Sequence, residues 1–351
     1  MNILRIVKKK ILVPGALLAV LLLCGCDDAN PKTTEAMQLL QGLNYTDALA
    51  GFDEAETEGE NARLIARGRG IAYMGMADYE NAIVRFEEAL RGSDGFVQPI
   101  DYDLNYYLAA AYIKNGQPEE AEGIYDAILA LRSEEEDAYF LRGNVRLSRD
   151  NYEGAKADFD KVISMDAANY DRIIEIYQAL EHYGYGDVGR AYLESAMRDA
   201  GDKMNDYDSG RIHYYLGNYQ QACVALEKSR EKGGADSYLY LGKAYEATGD
   251  YNYAASVYNA WIAKDTGSAA IYNQLGLCEM VMGNYARALE AFRSGMQVEN
   301  NSLMQTLSFN EIVAYEYLEE YQKALVLVEN YLKSYPDDAQ AVREQQFLSG
   351  R

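Results

Sequence analysis

Histidine and cysteine are scarce in this 351-residue chain, which contains 2 His and 4 Cys. The sequence also lacks a phosphate-binding glycine-rich loop, a nucleophile elbow, a Cys-x-x-Cys pair and the spacing of an EF-hand. Two histidines do not make a metal site without neighbouring ligands. These absences predict a protein that is not an enzyme and that uses neither a cofactor nor a metal ion.

Basic residues are few as well: 33 Lys and Arg stand against 55 Asp and Glu, which gives a formal net charge of −22. Nucleic-acid binding relies on clustered positive charge, so nucleic acid is excluded as a main partner. Docking on anionic lipid through a basic patch is excluded for the same reason. We interpret the acidity mainly as a source of solubility for a long polar surface.

The longest apolar stretch, Ile11–Leu23, is too short to span a bilayer comfortably. It follows a basic segment containing Arg5 and Lys8–Lys10, and it ends at Leu23-Cys24-Gly25-Cys26. This order of basic segment, apolar segment, small residue and cysteine resembles a bacterial lipoprotein signal peptide and its lipobox. The alternative is an ordinary secretory peptide that happens to contain two cysteines.

The lipobox resemblance implies that residues 1–25 are removed, that Cys26 carries the lipid, and that residues 26–32 form a short tether. Two acyl chains are enough for stable anchoring, whereas a single chain is marginal. Asp27 resembles a signal for retention in the inner membrane. The two remaining cysteines, Cys223 and Cys278, lie too far apart in the sequence repeat to favour a disulfide, and we expect both in packed helix faces.

An alanine recurs about every 34 residues through the rest of the chain. It follows a tyrosine-like position by three residues and usually precedes an aromatic residue by four. A repeat of this length is typical of a helical repeat array, which points to binding rather than catalysis. The nine alanines are Ala48, Ala82, Ala121, Ala155, Ala191, Ala222, Ala254, Ala288 and Ala324.

The best-preserved unit contains Gly70 and Tyr73 on its first helix, then Ala82, Phe86 and Ala89 on its second. This pattern resembles the tetratricopeptide repeat. The resemblance implies an all-α fold: a right-handed superhelical solenoid of about nine helix–turn–helix repeats over residues 33–338, closed by a capping helix at residues 339–351. Single units cannot bury their apolar faces alone, so stacking creates one continuous core.

Each signature position has an expected physical role. Small residues on the first helix, such as Gly242 and Ala109, are expected where the two helices of a unit approach most closely. Turn pairs are expected to end the first helix with a left-handed glycine and to cap the second with Asp or Asn. These pairs are Gly186-Asp187, Gly217-Asn218, Gly249-Asp250 and Gly283-Asn284.

Some segments depart from the pattern. Repeat five has Ser195 and Arg198 where apolar residues are expected, so its second helix should pack less conventionally. Extra residues between Gly92 and Asp101 predict a longer surface loop between repeats two and three. The histidines His182 and His213 both fall where the pattern places tyrosine on the first helix, and we interpret them as partly buried structural residues.

In the tetratricopeptide family the first helices line a concave groove, and the resemblance implies a binding face there. Tyr207, Arg211 and Tyr214 follow i, i+4, i+7 spacing and form one stripe, and tyrosine and arginine are common at binding hot spots. Only Asn144 matches the arrangement that clamps a carboxylate in some family members, so that mode is discarded. The candidate positions are Arg67, Tyr106, Phe140, Asn144, Tyr183, Tyr207, Arg211, Tyr214, Lys243 and Asn273.

The sequence therefore predicts a lipid-anchored scaffold on the extracytoplasmic face of a bacterial membrane that holds a protein or peptide partner in its groove. One alternative is an assembly factor for outer-membrane proteins or pili. Another is a lipoprotein that captures carbohydrate or cell-wall fragments through its tyrosines. The identity of the partner, the oligomeric state and the type of envelope stay open at this point.

Overall fold

The prediction of an all-α fold is confirmed. The computed structural model describes residues 29–93, 95–299 and 301–351, and every regular element in them is helical. The nineteen α-helices are α1 (Pro31–Gln41), α2 (Tyr45–Thr57), α3 (Ala62–Gly75), α4 (Tyr79–Arg91), α5 (Pro99–Lys114), α6 (Pro118–Leu131), α7 (Glu136–Ser148), α8 (Tyr152–Met165), α9 (Tyr170–His182), α10 (Gly186–Ala200), α11 (Asp206–Tyr215), α12 (Tyr219–Ser229), α13 (Gly234–Thr248), α14 (Tyr251–Ile262), α15 (Ala269–Val281), α16 (Tyr285–Met296), α17 (Met304–Tyr317), α18 (Tyr321–Ser334) and α19 (Ala339–Ser349).

The helices α1 to α18 follow one another as nine pairs. The second helix of each pair carries the alanine that recurs about every 34 residues, except in repeat five, where Gly189 takes its place. The final helix, α19, buries Ala341 and Leu348 against the cluster that contains Tyr331 of α18. Residues 1–25 and Cys26, for which a signal peptide and a lipid attachment site are predicted, lie outside the described residues.

The described residues form two compact units, 29–189 and 190–351, whose boundary falls within α10. In residues 29–189, the core is built around Phe52, Phe86 and Tyr125, none of which is exposed. In residues 190–351, Tyr258 and Phe292 fill the same role.

On five first helices, a glycine lies directly against a large side chain sixteen residues later on the second helix. A methyl group added to Gly70 would come within 2.5 Å of Phe86, and one added to Gly242 within 2.2 Å of Tyr258. No side chain fits there, which explains why a residue that costs about 1 kcal/mol inside a helix recurs at this register. The expected close approach of the two helices in a unit is therefore confirmed. The same contact joins Gly143 to Phe159, Gly210 to Leu226 and Gly276 to Phe292.

Repeat five corrects the sequence interpretation, because its register starts two residues earlier than the alanine pattern indicates. Ala191 is exposed, whereas Gly189 is buried with Tyr177 close against its α-carbon. In this register, the apolar positions of the second helix are occupied by Leu193 and Ala196, and not by Ser195 and Arg198. The second helix of this repeat therefore buries conventional residues.

The turn of repeat five shifts with its register. Gly184, with a φ of +88°, takes the left-handed conformation assigned to Gly186, and Gly186 is the first residue of α10. The other three turns have glycines of positive φ at Gly217, Gly249 and Gly283, as predicted. Side-chain capping is confirmed at Asp250, which accepts a hydrogen bond from the backbone N–H of Tyr253 at 3.1 Å.

Candidate binding face on the first helices

In residues 29–189, charged side chains bridge successive first helices. The Arg67 guanidinium donates to Asp103 of α5 at 2.6 Å and lies 5.6 Å from the centre of the Tyr107 ring. Arg63 pairs with Asp101 one turn earlier on the same two helices. Arg67 thus stands on the predicted face, but its charge is already engaged by an acidic partner.

The next candidates in this unit are mainly packed. Tyr106 lies 6.2 Å from Tyr125 between ring centres, and its hydroxyl is buried. Phe140 is 3% exposed, and its ring is covered by the Arg172 guanidinium at 4.3 Å. Asn144 is half-buried and donates to the backbone carbonyl of Phe140 at 2.9 Å. Tyr106 and Phe140 hold neighbouring helices together, Asn144 bonds within its own helix, and all three offer little surface to a partner.

His182 and Tyr183 lie at the end of α9, because the register of repeat five starts two residues earlier than the alanine pattern indicates. Tyr183 is the C-cap residue of that helix and is 40% exposed, and the edge of the His182 ring packs on it at 4.9 Å. His182 itself is exposed, so its interpretation as a partly buried residue at the tyrosine position is wrong. Leu180, which is fully buried, occupies that position.

In residues 190–351, the predicted stripe on α11 consists of Tyr207, Arg211 and Tyr214. Arg211 is buried, whereas the two tyrosines are partly accessible. Arg211 is only 7% exposed, its guanidinium lies 4.3 Å above the Tyr207 ring, and it pairs with Asp208 at 2.5 Å. Arg211 therefore stabilises α11 and the Tyr207 side chain. Its removal would damage the fold as well as any binding, which makes it a poor probe of recognition.

Tyr214 lies within a group of four tyrosines that joins α11, the start of α12 and α13. We call Tyr214, Tyr215, Tyr219 and Tyr240 the tyrosine cluster. Ring centres are 5.3 Å apart for Tyr214 and Tyr215, and 5.9 Å apart for Tyr214 with both Tyr219 and Tyr240. The hydroxyls of Tyr215 and Tyr240 share a hydrogen bond of 2.9 Å. Such tilted and edge-on contacts are favourable for aromatic pairs.

The hydroxyls of Tyr214 and Tyr215 stay protonated at neutral pH. Burial raises the pKa of Tyr214 to about 12, and burial with the neighbouring Tyr240 raises the pKa of Tyr215. Tyr219 is 36% exposed, and the Lys243 ammonium lies 5.5 Å from the centre of the Tyr240 ring. The arrangement thus combines aromatic faces, hydroxyl donors and a cation, which suits the carbonyl and carboxylate oxygens and apolar side chains of a peptide.

Polar side chains continue along the first helices beyond this cluster. Asn310 of α17 donates to Asn273 of α15 at 2.9 Å. Gln274 of α15 and the Tyr258 hydroxyl both donate to Glu246 of α13, at 2.9 Å and 2.6 Å, and burial raises the pKa of that carboxyl. Asn273 is therefore brought into a ladder of amide contacts between first helices rather than into the tyrosine cluster.

Sequence reasoning missed Tyr215, Tyr219 and Tyr240. Tyr215 and Tyr240 each stand one residue beyond a groove position, so the family pattern does not select them. The adjacent pair Tyr214-Tyr215 was a usable signal, since two neighbouring tyrosines at a helix end cannot both enter the core of one unit.

The other candidate reactive groups are in structural positions. His213 is half-buried, and burial lowers its pKa, which agrees with a structural role. Cys223 and Cys278 are buried free thiols, and Cys278 donates to the carbonyl of Tyr251 at 3.3 Å. Within the described ranges, no group of three or more His, Cys, Asp or Glu is arranged to hold a metal ion.

Three matches decide the family. Models of the family described as "Tetratricopeptide repeat" match residues 73–143, 136–169 and 207–269. The chain is a tetratricopeptide repeat protein. Proteins with these repeats generally act as scaffolds for protein–protein interaction rather than as enzymes. In this tetratricopeptide repeat protein, no helix of the described part is long and apolar enough to cross a membrane.

Among curated proteins, this tetratricopeptide repeat protein is similar to RNA polymerase II-associated protein 3 of Xenopus laevis, with 25% identity over 226 residues. The alignment covers 64% of this chain and 31% of that relative, so the chain spans about a third of its length.

Two solved structures have related folds. A tetratricopeptide repeat protein from Parabacteroides merdae has 15% identity and a TM-score of 0.44 over 81% of this chain and 97% of its own. YrrB, a TPR protein described as having an unusual peptide-binding site, has 18% identity and a TM-score of 0.35 over 63% and 97%.

Proposed function

We propose that this protein is a lipid-anchored scaffold outside the cytoplasm that holds an extended peptide segment of a partner protein on α11 and α13. The proposal of a binding site is supported by the tyrosine cluster and by Lys243 beside it. The four rings are fixed by one another and by the bond between Tyr215 and Tyr240. A surface that is ordered before binding loses little conformational entropy when a partner arrives.

The charges of the two units support this choice of site. In residues 29–189, arginines on the first helices are paired with carboxylates of a neighbouring first helix, as in Arg67–Asp103 and Arg172–Glu136. A partner would have to displace or desolvate those pairs. On α11, the ion pair of Arg211 with Asp208 is largely buried, and the aromatic rings and hydroxyls of the tyrosine cluster can contact a partner without breaking it.

The binding proposal is tested with the double variant Tyr219→Ala/Lys243→Ala, both members of which are at least partly accessible. We expect the affinity for a captured peptide partner to fall at least tenfold, because aromatic anchors commonly contribute about 2 kcal/mol or more. The unfolding curve should stay unchanged. The measurement is peptide-array binding, with cell-wall glycans as a second panel.

Tyr253→Ala is the matched control, because Tyr253 is 40% exposed but lies on the second helix α14. It should retain the partner. Full binding by the double variant, or an equal loss in the control, would contradict the site. Selective binding of wall glycans would favour the alternative function of carbohydrate capture.

The anchor is a separate proposal that rests on the sequence Leu23-Cys24-Gly25-Cys26. Cys26→Ala should release the protein from membranes, since the described part contains no helix that could span one. Cell fractionation measures this directly. If the variant stays in the membrane pellet after a high-salt wash, the proposal of a lipid anchor at Cys26 is wrong. The peptide site is tested separately, by the double variant described above.

A further inference from the structure

A second surface lies in residues 29–189, where the segment before α5 meets α5 and α6. The segment after α4 exposes two consecutive apolar residues, Phe96 at 78% and Val97 at 59%. Leu131, at the end of α6, is 64% exposed. Phe96 and Val97 are not needed to cover the core of a repeat, because their segment is additional to the repeat pattern.

Val97 and Leu131 stand on the rim of an open cleft between α5 and α6. We call it the α5–α6 cleft, and it is lined by Val97, Asp101, Tyr102, Asn105, Ala127, Ile128 and Leu131. Its volume is about 100 Å³. Sites for cofactors and small molecules usually have about 300–1,000 Å³. The α5–α6 cleft therefore has room for a single bulky side chain and not for a cofactor.

The walls of this cleft are held in place before any ligand arrives. Asp101 accepts a hydrogen bond from the Gln98 backbone N–H at 2.7 Å and also pairs with Arg63 of α3. The Arg132 guanidinium lies 3.6 Å from the centre of the Tyr102 ring. Two α5 residues that form the wall, Asp101 and Tyr102, are thus fixed before binding. This lowers the entropic cost of binding a ligand.

The net negative charge of residues 29–189 indicates which kind of partner the α5–α6 cleft would bind. Residues 29–189 contain 31 Asp and Glu against 14 Lys and Arg, whereas residues 190–351 contain 22 against 15. The carboxylates Glu134–Asp137 begin three residues after Leu131 and pair with Lys161, Arg132 and Arg172, so the attraction for a basic partner comes from the excess of carboxylates over cations in the unit as a whole. A second copy of this chain would bring like charges together, and an anionic lipid surface would be repelled, so both are disfavoured.

We infer that the α5–α6 cleft binds a basic amphipathic segment of a partner protein, with one bulky apolar side chain in the cleft and flanking Lys or Arg residues against the acidic surface. This interaction is independent of the site on α11 and α13. It would give the scaffold a second point of contact, and two linked contacts raise the overall affinity without strengthening either one.

The test uses the purified full chain and a fluorescent twelve-residue peptide that contains Leu-Phe flanked by lysines. We expect binding by fluorescence anisotropy that weakens with added salt, and that weakens at least tenfold in Val97→Ala/Leu131→Ala. The matched control is Val84→Ala, which removes a 46%-exposed apolar residue from α4 in the same unit and should bind like the parent chain.

Three results would overturn the inference: no binding of the lysine peptide, equal binding by the cleft variant, or equal binding of a peptide with glutamate in place of lysine. Sedimentation of the same samples adds a fourth. If the parent chain dimerises and the cleft variant does not, the occupant is a second copy and the proposed partner is wrong.

Discussion

Replacing Ala254 with aspartate is expected to unfold the region around α14 while leaving distant repeats protected. Ala254 is fully buried in the cluster that contains Leu226, Tyr258 and Ile271. An unpaired carboxylate at this point costs at least several kcal/mol, because burial in an apolar cluster removes the water that solvates the charge. Repeat proteins are stabilised by contacts between near neighbours, so the damage should spread only to adjacent units before global unfolding.

Hydrogen exchange measured by mass spectrometry checks this expectation. Exchange should rise first in repeats six to eight, α11–α16, and much less near Ala82 of α4. Ala260→Asp is the control, because Ala260 lies on the same helix but is exposed, and surface substitutions usually change stability by less than about 0.5 kcal/mol. A uniform loss of protection along the chain in Ala254→Asp would contradict the description of the chain as a repeat array.

A second large effect is expected at Asp158 of α8, a carboxylate that is 2% exposed. It accepts hydrogen bonds from Arg142 at 2.6 Å and 3.1 Å and from Arg146 at 2.9 Å. Asp158→Asn removes the charge that balances two largely buried guanidinium groups. We expect the free energy of unfolding to fall by about 3 kcal/mol or more, the usual range for breaking a buried ion pair.

Asp126→Asn is the matched control for Asp158. Asp126 lies 2.6 Å from the same Arg142, but its side chain is 53% exposed, so its loss should cost less than about 1 kcal/mol. Urea denaturation of both variants measures the difference. Equal destabilisation by the two substitutions would show that burial does not decide the strength of this network.

The fold was predictable from the sequence because its signals repeat. A glycine or alanine faces a large residue sixteen positions later in unit after unit, and one weak match is corrected by its neighbours. Repeat five shows the limit. There Gly189 replaces the expected alanine and Tyr177 takes the small-residue position, so a search for alanine selected Ala191, two residues away.

The candidate site was less predictable, because a periodic pattern gives the direction of a side chain but not what covers it. Arg211 occupies a groove position, yet Tyr207 and Asp208 on its own helix engage it and leave it 7% exposed. Tyr240 and Tyr215 meet only because α11 and α13 are neighbours in space. Their hydrogen bond depends on a contact 25 residues apart in the chain, which no local pattern contains.

Recognition by α11 and α13 is tested most directly by a hydrogen-exchange footprint of the full chain with its captured partner. We expect slower exchange in α11 (Asp206–Tyr215) and in α13 (Gly234–Thr248) when the partner is bound. Little change is expected in the second helices α12 and α14 away from their first residues. Protection confined to those second helices, with α11 and α13 unchanged, would contradict the claim.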